Sequence, residues 1–370
     1  MDTDAEERWS ITDTIKEREK QNMIKRGFLY AVCLTAVAFL ISVGCIFHDT
    51  KIPVDEDGTI TLRMAQTSSE TGAIGQSMNK FADMIYENTN GKYKIEVYHN
   101  GQLGAEIDTI EGCQMGTIDI AVVNQSTLGN FIDDFSALDI PYLITSTEQA
   151  DKVFLGDIGN YFLDELSGVQ LYGLGIWESG FRNLTNSKRD INSVSDVNGL
   201  KIRTMENQIH IAFWKQIGAD ATPMAWGEAY TALQQGALDG QENPSTVILT
   251  NNVAQVNSHL AITEHAYSTV FLIMSPTTWA SLGEEYQQIF EETAMECALS
   301  ERELSRQMDA EAITELEDQG MVVTYPDKNE FIESAQELYE QWHEKYGEIM
   351  DQIEELKSGE EQDAKDKKGV

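Results

Sequence analysis

The chain has 370 residues, 41% of them hydrophobic, which is enough for a sizeable core and fits two lobes. Its formal net charge is −36 at pH 7, with 26 Lys and Arg against 62 Asp and Glu. This charge excludes a nucleic-acid-binding protein, because such proteins need a basic footprint. The small number of prolines, six in all, also argues against a largely disordered chain.

The first recognisable element is an apolar segment near the N-terminus. Residues 27–47 carry no charge and are long enough to cross a bilayer as a helix. Basic residues precede the segment and acidic residues follow it, so we expect the rest of the chain to be exported. Residues 1–22 would then be a cytoplasmic or non-native tail, and 23–47 a signal peptide or membrane anchor, with Met23 as an alternative start.

The apolar segment ends in SVGC, which is similar to a bacterial lipoprotein cleavage site with Cys45 as the lipidated residue. Three outcomes stay open for this end of the chain. Cys45 carries a lipid, or the helix is retained as an anchor, or the protein is secreted without either.

The exported part alternates short apolar strands with amphipathic helices, which is typical of an α/β domain with a largely parallel sheet. Strands are predicted at 60–66, 94–98, 118–123, 169–176, 201–203, 219–223 and 270–275. Helices are predicted at 73–88, 105–115, 148–167, 207–217, 226–236, 282–318 and 331–356. The helix at 282–318 is longer than one ordinary lobe and could brace two. Residues 357–370 are highly charged and are expected to form a disordered tail.

Enzyme signatures are missing from the sequence. It contains no nucleophile elbow, no paired-histidine zinc motif, no P-loop and no glycine-rich dinucleotide motif at a strand–helix junction. The six histidines are scattered singly, and Cys113 and Cys297 are far apart, so we expect two buried free thiols. We therefore expect no enzyme activity, no catalytic residue, no metal site and no cofactor.

Positive charge is scarce after residue 46, and half of the arginines there lie between Arg182 and Arg203. Arg203 ends a short predicted strand that leads into a helix, where ligands bind in open α/β sheets. A guanidinium can pair with a carboxylate through two parallel hydrogen bonds. The residues alone also allow a surface ion pair for Arg203, and either a core position or a pocket wall for Trp226.

Four stretches of the exported part stand out together: GQLGAEIDTIEGCQMGTIDIAVV, GFRNLTNSKRDI, GLKIRTMEN and TPMAWGEAYTALQQGALDGQENP. In this order they resemble the dicarboxylate-type (DctP-like) solute-binding proteins of tripartite ATP-independent periplasmic (TRAP) transporters. The similarity extends from about residue 60 to residue 345. It implies a two-lobed, periplasmic-binding-protein-like α/β fold with a long helix spanning both lobes, preceded by the N-terminal membrane segment.

The resemblance also implies lobe boundaries. Lobe I would comprise 58–180 plus about 269–308, and lobe II would comprise 181–268 plus about 309–350. The ligand would bind between the lobes, and closure would exclude water from the site, which strengthens an ion pair there.

Site residues follow from the resemblance position by position. In lobe II, Arg203 would clamp the ligand's carboxylate, with Arg182, Asn243 and Trp226 as further ligand contacts. In lobe I, the resemblance places Gln66 or Thr67, and Asn124 or Gln125, in the cleft. Sialic-acid binders carry a glutamate at the latter position, so this departure argues against sialic acid as the ligand.

The function implied is that of an extracytoplasmic solute-binding subunit. It would capture a small organic acid anion and deliver it to small and large membrane subunits driven by an ion gradient. We expect a monomer held at the outer face of the bacterial membrane by its N-terminal anchor or lipid, or secreted to the periplasm, with no nucleic-acid partner.

Two ligand classes are compatible with these residues, namely sugar acids such as hexuronates and aldonates, and C4-dicarboxylates. We favour a sugar acid, because Arg182 is the one obvious additional cation for a second carboxylate. An alternative function is a sensory ectodomain that works with a separate signalling partner, and a secreted enzyme is a third hypothesis, which turnover of a bound ligand would reveal.

Overall fold

The computed structural model describes Asp55 and residues 58–368, with side chains described as far as residue 357. All of them belong to one compact unit, Ile52–Val370. The predicted N-terminal tail 1–22, the apolar segment 27–47 and Cys45 lie outside the described residues. Within the described part, no helix combines the length and the apolar character needed to cross a membrane.

The described residues form a ten-stranded sheet. The strands are β1 (Ile60–Ala65), β2 (Tyr93–Tyr98), β3 (Ile120–Asn124), β4 (Tyr172–Asn186), β5 (Lys201–Thr204), β6 (Asp220–Pro223), β7 (Gly240–Pro244), β8 (His259–Ala261), β9 (Tyr267–Met274) and β10 (Val322–Thr324). Eight of them follow the order β2-β1-β3-β9-β4-β7-β5-β6, and β8 pairs with both β4 and β10.

Strand direction divides the sheet into two halves. In one half β1 pairs in parallel with β2 and β3, and in the other β5 pairs in parallel with β6 and β7. Between them, β4 and β9 run antiparallel to each other and to their outer neighbours β7 and β3. The predicted largely parallel sheet is therefore correct within each half and wrong for the two strands that join the halves.

Strand β4 connects the two lobes. Its first half pairs with β9 and its second half with β7 and β8. The register shifts between Glu178 and Gly180, and Gly180 has φ +108°, a conformation that glycine adopts readily. The sequence prediction ended this strand at residue 176 and missed its second half.

Twelve α-helices accompany the sheet in the described part of the chain. They are α1 (Ala73–Asn88), α2 (Glu106–Met115), α3 (Gln125–Leu128), α4 (Thr147–Phe154), α5 (Asp157–Glu165), α6 (Gln208–Gln216), α7 (Trp226–Gln234), α8 (Ser245–Thr250), α9 (Pro276–Leu282), α10 (Glu284–Asp318), α11 (Lys328–Ser334) and α12 (Gln336–Lys368). The helix predicted at 148–167 is thus two helices. The one predicted at 331–356 is divided between α11 and α12, and α12 is itself kinked at Tyr346. Helix α12 continues to Lys368, so the segment expected to be disordered, 357–370, is helical as far as residue 368.

Helix α10 confirms the prediction of a long helix that serves both lobes. Its 35 residues extend over about 50 Å at the usual rise per residue. The helix packs against α1 and β4 in one lobe and against α8 and β10 in the other. Cys297 on this helix and Cys113 on α2 are both buried and unpaired, as predicted. The fold is therefore a two-lobed α/β architecture, with a cleft where the carboxyl ends of β1, β3, β5 and β7 meet.

Candidate functional site

A cavity lies in the cleft and encloses about 680 Å³, including its open mouth. The half of the sheet that contains β1 and β3 contributes Thr67, Glu106, Asn124 and Thr127 to its wall, and the half that contains β5 and β7 contributes Arg182, Arg203, Trp226 and Asn243. The cavity thus brings together six of the eight side chains that the sequence singled out for the ligand site.

Arg203 is fixed in this wall at the end of β5 and is 3% exposed. Its Nε–H donates to the carbonyl of Met224 at 2.8 Å, and its guanidinium lies 5.5 Å from the centre of the Trp226 ring. Within the described residues, its two Nη groups form no hydrogen bond or ion pair. These groups therefore remain available for a bound anion.

Burial, together with the neighbouring charge of Arg182, lowers the pKa of Arg203 to about 10, although nearby carboxylates, above all Glu242, oppose the shift. The guanidinium still carries its charge at neutral pH. A buried cation without a direct counter-ion stabilises an incoming anion strongly, because water does not screen the pair.

Arg182, in contrast, is already paired. Its Nε donates to Glu242 Oε2 at 2.5 Å and its Nη2 donates to Glu242 Oε1 at 2.9 Å. The same Nη2 also donates to Asn243 Oδ1 at 3.1 Å, while Nη1 reaches only Ser268 Oγ, at 3.4 Å. Arg182 therefore presents one edge to the cavity, and most of its charge is neutralised by Glu242.

Glu242 is fully buried behind the cavity. Burial alone would raise the pKa of Glu242, but the charge of Arg182, the proximity of His210 and the hydrogen bond from His265 hold it well below its usual range. Glu242 Oε2 lies 3.0 Å from His265 Nε2. The side chains of His210, Glu242 and His265 are close enough together to hold a metal ion. Both carboxylate oxygens of Glu242, however, already accept hydrogen bonds from Arg182.

Two of the lobe I candidates face away from the cavity. The Nε2 of Gln66 lies 2.8 Å from His99 Nδ1 in the interior. The amide of Gln125 is fully buried, donates to the carbonyls of Leu138 and Tyr267, and accepts from Thr269. Side chains of successive residues at a strand end point in opposite directions. Of the two alternatives predicted at each place, Thr67 and Asn124 consequently reach the cavity, whereas Gln66 and Gln125 do not line it.

Glu106 is a cavity residue that the sequence reasoning missed. It begins α2 and accepts hydrogen bonds from the hydroxyls of Thr127 and Thr67. Burial raises the pKa of Glu106, while the bond from Thr127, the Asn124 backbone N–H and the charge of Arg203 oppose the shift. The signal that could have identified it is its position directly after the GQLGA turn, at the start of a helix facing the cleft.

Comparisons with known proteins show what this chain is similar to. The family model described as bacterial extracellular solute-binding protein, family 7 (DctP), matches residues 64–345. A curated solute-binding protein of Verminephrobacter eiseniae is 35% identical over 288 residues, which cover 78% of this chain and 86% of that protein.

Solved structures are similar over the same region. A TRAP periplasmic solute binding protein from Polaromonas sp. JS666, bound to D-erythronate, aligns with a TM-score of 0.77 and 36% identity, covering 80% of this chain and 97% of that chain. A sugar acid binding protein from Advenella mimigardefordensis, in complex with galactonate, also has a TM-score of 0.77, with 28% identity and coverage of 80% and 96%.

Proposed function

Because the chain belongs to the DctP family of bacterial extracellular solute-binding proteins, we propose that it captures a monocarboxylate sugar acid for a TRAP transporter. It binds a small organic acid anion and works with TRAP membrane subunits, and it carries out no chemistry on the ligand. We include three further points in the same proposal. They are the lobe boundaries given above, a monomeric state, and attachment to the membrane through residues 23–47 or through a lipid on Cys45.

The observation that carries the proposal is the unpaired guanidinium edge of Arg203 in the cleft. A ligand carboxylate can accept two parallel hydrogen bonds from its Nη groups. The free edge of Arg182 and the amide of Asn243 lie in the same wall and would contact the same carboxylate. The Trp226 ring, held by a hydrogen bond from its Nε1 to Asn251, offers a flat surface for the carbon skeleton.

The rest of the cavity favours hydroxyl groups over a second carboxylate. Glu242 neutralises most of the second cation, Arg182, so one strong anion partner remains in the wall. Glu106 adds a carboxylate that would repel a second anion but would accept hydrogen bonds from ligand hydroxyls. Thr67, Thr127 and Asn124 supply further polar groups on the same side. The bound D-erythronate and galactonate of the similar structures belong to this chemical class.

The test is a ligand panel with the full chain purified in detergent. Aldonates, hexuronates, succinate and neutral sugars are added, and the melting temperature is followed, since a ligand of the native state raises it by mass action. We expect the largest shift with a monocarboxylate sugar acid, a smaller one with succinate and none with neutral sugars. A shift with neutral sugars that equals the shift with sugar acids would refute the proposal, as would the absence of any shift with organic acids.

A further inference from the structure

A second, smaller cavity adjoins the ligand cavity and encloses about 300 Å³ when its open mouth is included; we refer to it as the side cavity. Four residues line both spaces: Ser68, Ile74, Ser179 and Val247. The side cavity continues between the loop after β1 and helix α8, where Gly72 and Thr250 approach each other across the cleft. It is therefore an extension of the ligand cavity toward the line along which the two lobes meet.

Hydroxyl groups dominate the polar lining of the side cavity. Ser179 is 7% exposed and Thr246 is 5% exposed, and Ser68 lies beside them at the junction with the ligand cavity. Among the described residues, the hydroxyls of these three side chains have no hydrogen-bond partner. The three hydroxyl oxygens open onto the cavity and are not sealed in the protein interior, so water or the hydroxyl groups of a ligand can bond to each of them.

The backbone holds these hydroxyls in place. Ser179 lies at the register shift of β4, and the carbonyl of the preceding residue, Glu178, accepts a hydrogen bond from Ser305 Oγ on α10 at 3.4 Å. Thr246 lies in the first turn of α8, whose backbone N–H groups interact with the carboxylate of Asp309 on the same long helix. Both hydroxyls are thus positioned by α10, the helix that both lobes share.

The charge of the side cavity indicates which ligand group fits there. Its one charged lining residue, within the described part, is Glu178. That carboxylate accepts from Arg306 Nε at 2.9 Å and pairs with Arg302 Nη1 at 3.5 Å. No free cation faces the space, so it suits a neutral hydroxylated chain rather than a second carboxylate.

We propose that the side cavity is a subsite for the polyhydroxylated tail of sugar acids longer than four carbons. The inference rests on the proposed function, with the ligand carboxylate at Arg203. A four-carbon acid fills the ligand cavity alone, whereas a six-carbon acid extends past Ser179 and bonds to the hydroxyls of Ser68, Ser179 and Thr246.

The experiment measures the dissociation constants of D-erythronate (four carbons) and galactonate (six carbons) by calorimetry on the full chain in detergent. Thr250 lines the side cavity only, and its hydroxyl donates to the carbonyl of Thr246 within α8. Thr250→Phe fills the space, and Thr250→Val is the matched control of unchanged size. We expect Thr250→Phe to weaken galactonate binding at least tenfold and erythronate binding less than twofold, with both unchanged in Thr250→Val.

A second variant keeps the test decisive if the phenylalanine disturbs folding. Thr246→Val removes a hydroxyl but keeps the shape, and it should weaken galactonate binding about three- to tenfold without changing erythronate binding. Equal effects on both acids, or none on galactonate, would overturn the subsite. Wild-type protein that binds erythronate but binds galactonate no more tightly would overturn it as well. Wild-type protein that binds neither acid refutes the proposed function itself.

Discussion

Replacing Arg203 by lysine should weaken sugar acid binding by about 30- to 4000-fold. The structure shows what the exchange removes. Arginine offers two Nη groups to the cavity, while its Nε is held by Met224 and its plane lies on Trp226. A lysine ammonium keeps the charge but loses one of two charge-assisted hydrogen bonds, each of about 1.5–3 kcal/mol, and the ring contact of about 0.5–2 kcal/mol. The expected loss is therefore about 2–5 kcal/mol, at about 1.4 kcal/mol per factor of ten.

Isothermal calorimetry near pH 7.5 is the appropriate assay, because the pKa of Arg203, about 10, keeps the guanidinium charged there. Arg203→Ala sets the upper limit, since it leaves the ligand carboxylate buried without a cation, which costs about 3–5 kcal/mol. Arg189→Lys is the matched control, because Arg189 is exposed and, among the described residues, its side chain donates only to the carbonyl of Asn198. If Arg203→Lys binds within threefold of wild type, the assignment of Arg203 as the carboxylate clamp is refuted.

Three further predictions concern acidic side chains. Glu106→Gln should weaken sugar acid binding about three- to tenfold and strengthen succinate binding, because it removes a carboxylate that would accept hydrogen bonds from ligand hydroxyls and repel a second anion. Glu242→Gln should lower the free energy of unfolding by about 3–5 kcal/mol in chemical denaturation, because Arg182 is then buried without its counter-charge. Burial raises the pKa of Glu301 to about 8, so the wild-type protein loses stability as pH rises from about 5 to about 8. Glu301→Gln should lack this loss and be about 2–4 kcal/mol more stable than wild type at pH 8.

Each of these three predictions would be contradicted by a specific result. An unchanged preference between sugar acid and succinate in Glu106→Gln would remove the basis for a hydroxylated ligand. Unchanged stability of Glu242→Gln would mean that solvent or another group compensates Arg182. For Glu301→Gln, the comparison runs over a pH series, and the two stability curves should converge below about pH 4.5. A constant difference at all pH values would show that packing, and not titration, causes the effect.

Local sequence pattern was sufficient for many helices and central strands. The helix predicted at 73–88 is α1 with the same bounds, because its apolar residues recur with helical spacing and pack on one face. The apolar run at 270–275 identified β9, although that strand begins three residues earlier. The length of α10 could also be predicted, since the helical pattern continues through 282–318 without a break after Gly283.

Strands with polar sequences could not be found in this way. β7 reads GQENP and is buried at every position, yet it has neither alternation nor an apolar run. The second half of β4, which contains GFRNLTN, is similar. These segments are strands because they pair with each other, and their buried polar groups are satisfied across that pairing. Pairing between distant segments leaves no periodic signal in either one.

The properties of the site can be separated in the same way, into those that the sequence predicted and those that depend on the tertiary structure. The sequence by itself determined that positive charge is concentrated near Arg203 and that this arginine ends a strand, and the family's motifs added Trp226 and Asn243. Only the tertiary structure decided that Arg203 is the unpaired cation and Arg182 the neutralised one, because Glu242 lies 60 positions from Arg182 in the chain. It also decided that Asn124, and not Gln125, faces the cleft, and that Glu106 lies in the wall. The charge a ligand meets depends on which groups are already paired, and those partners come together only when distant strands align.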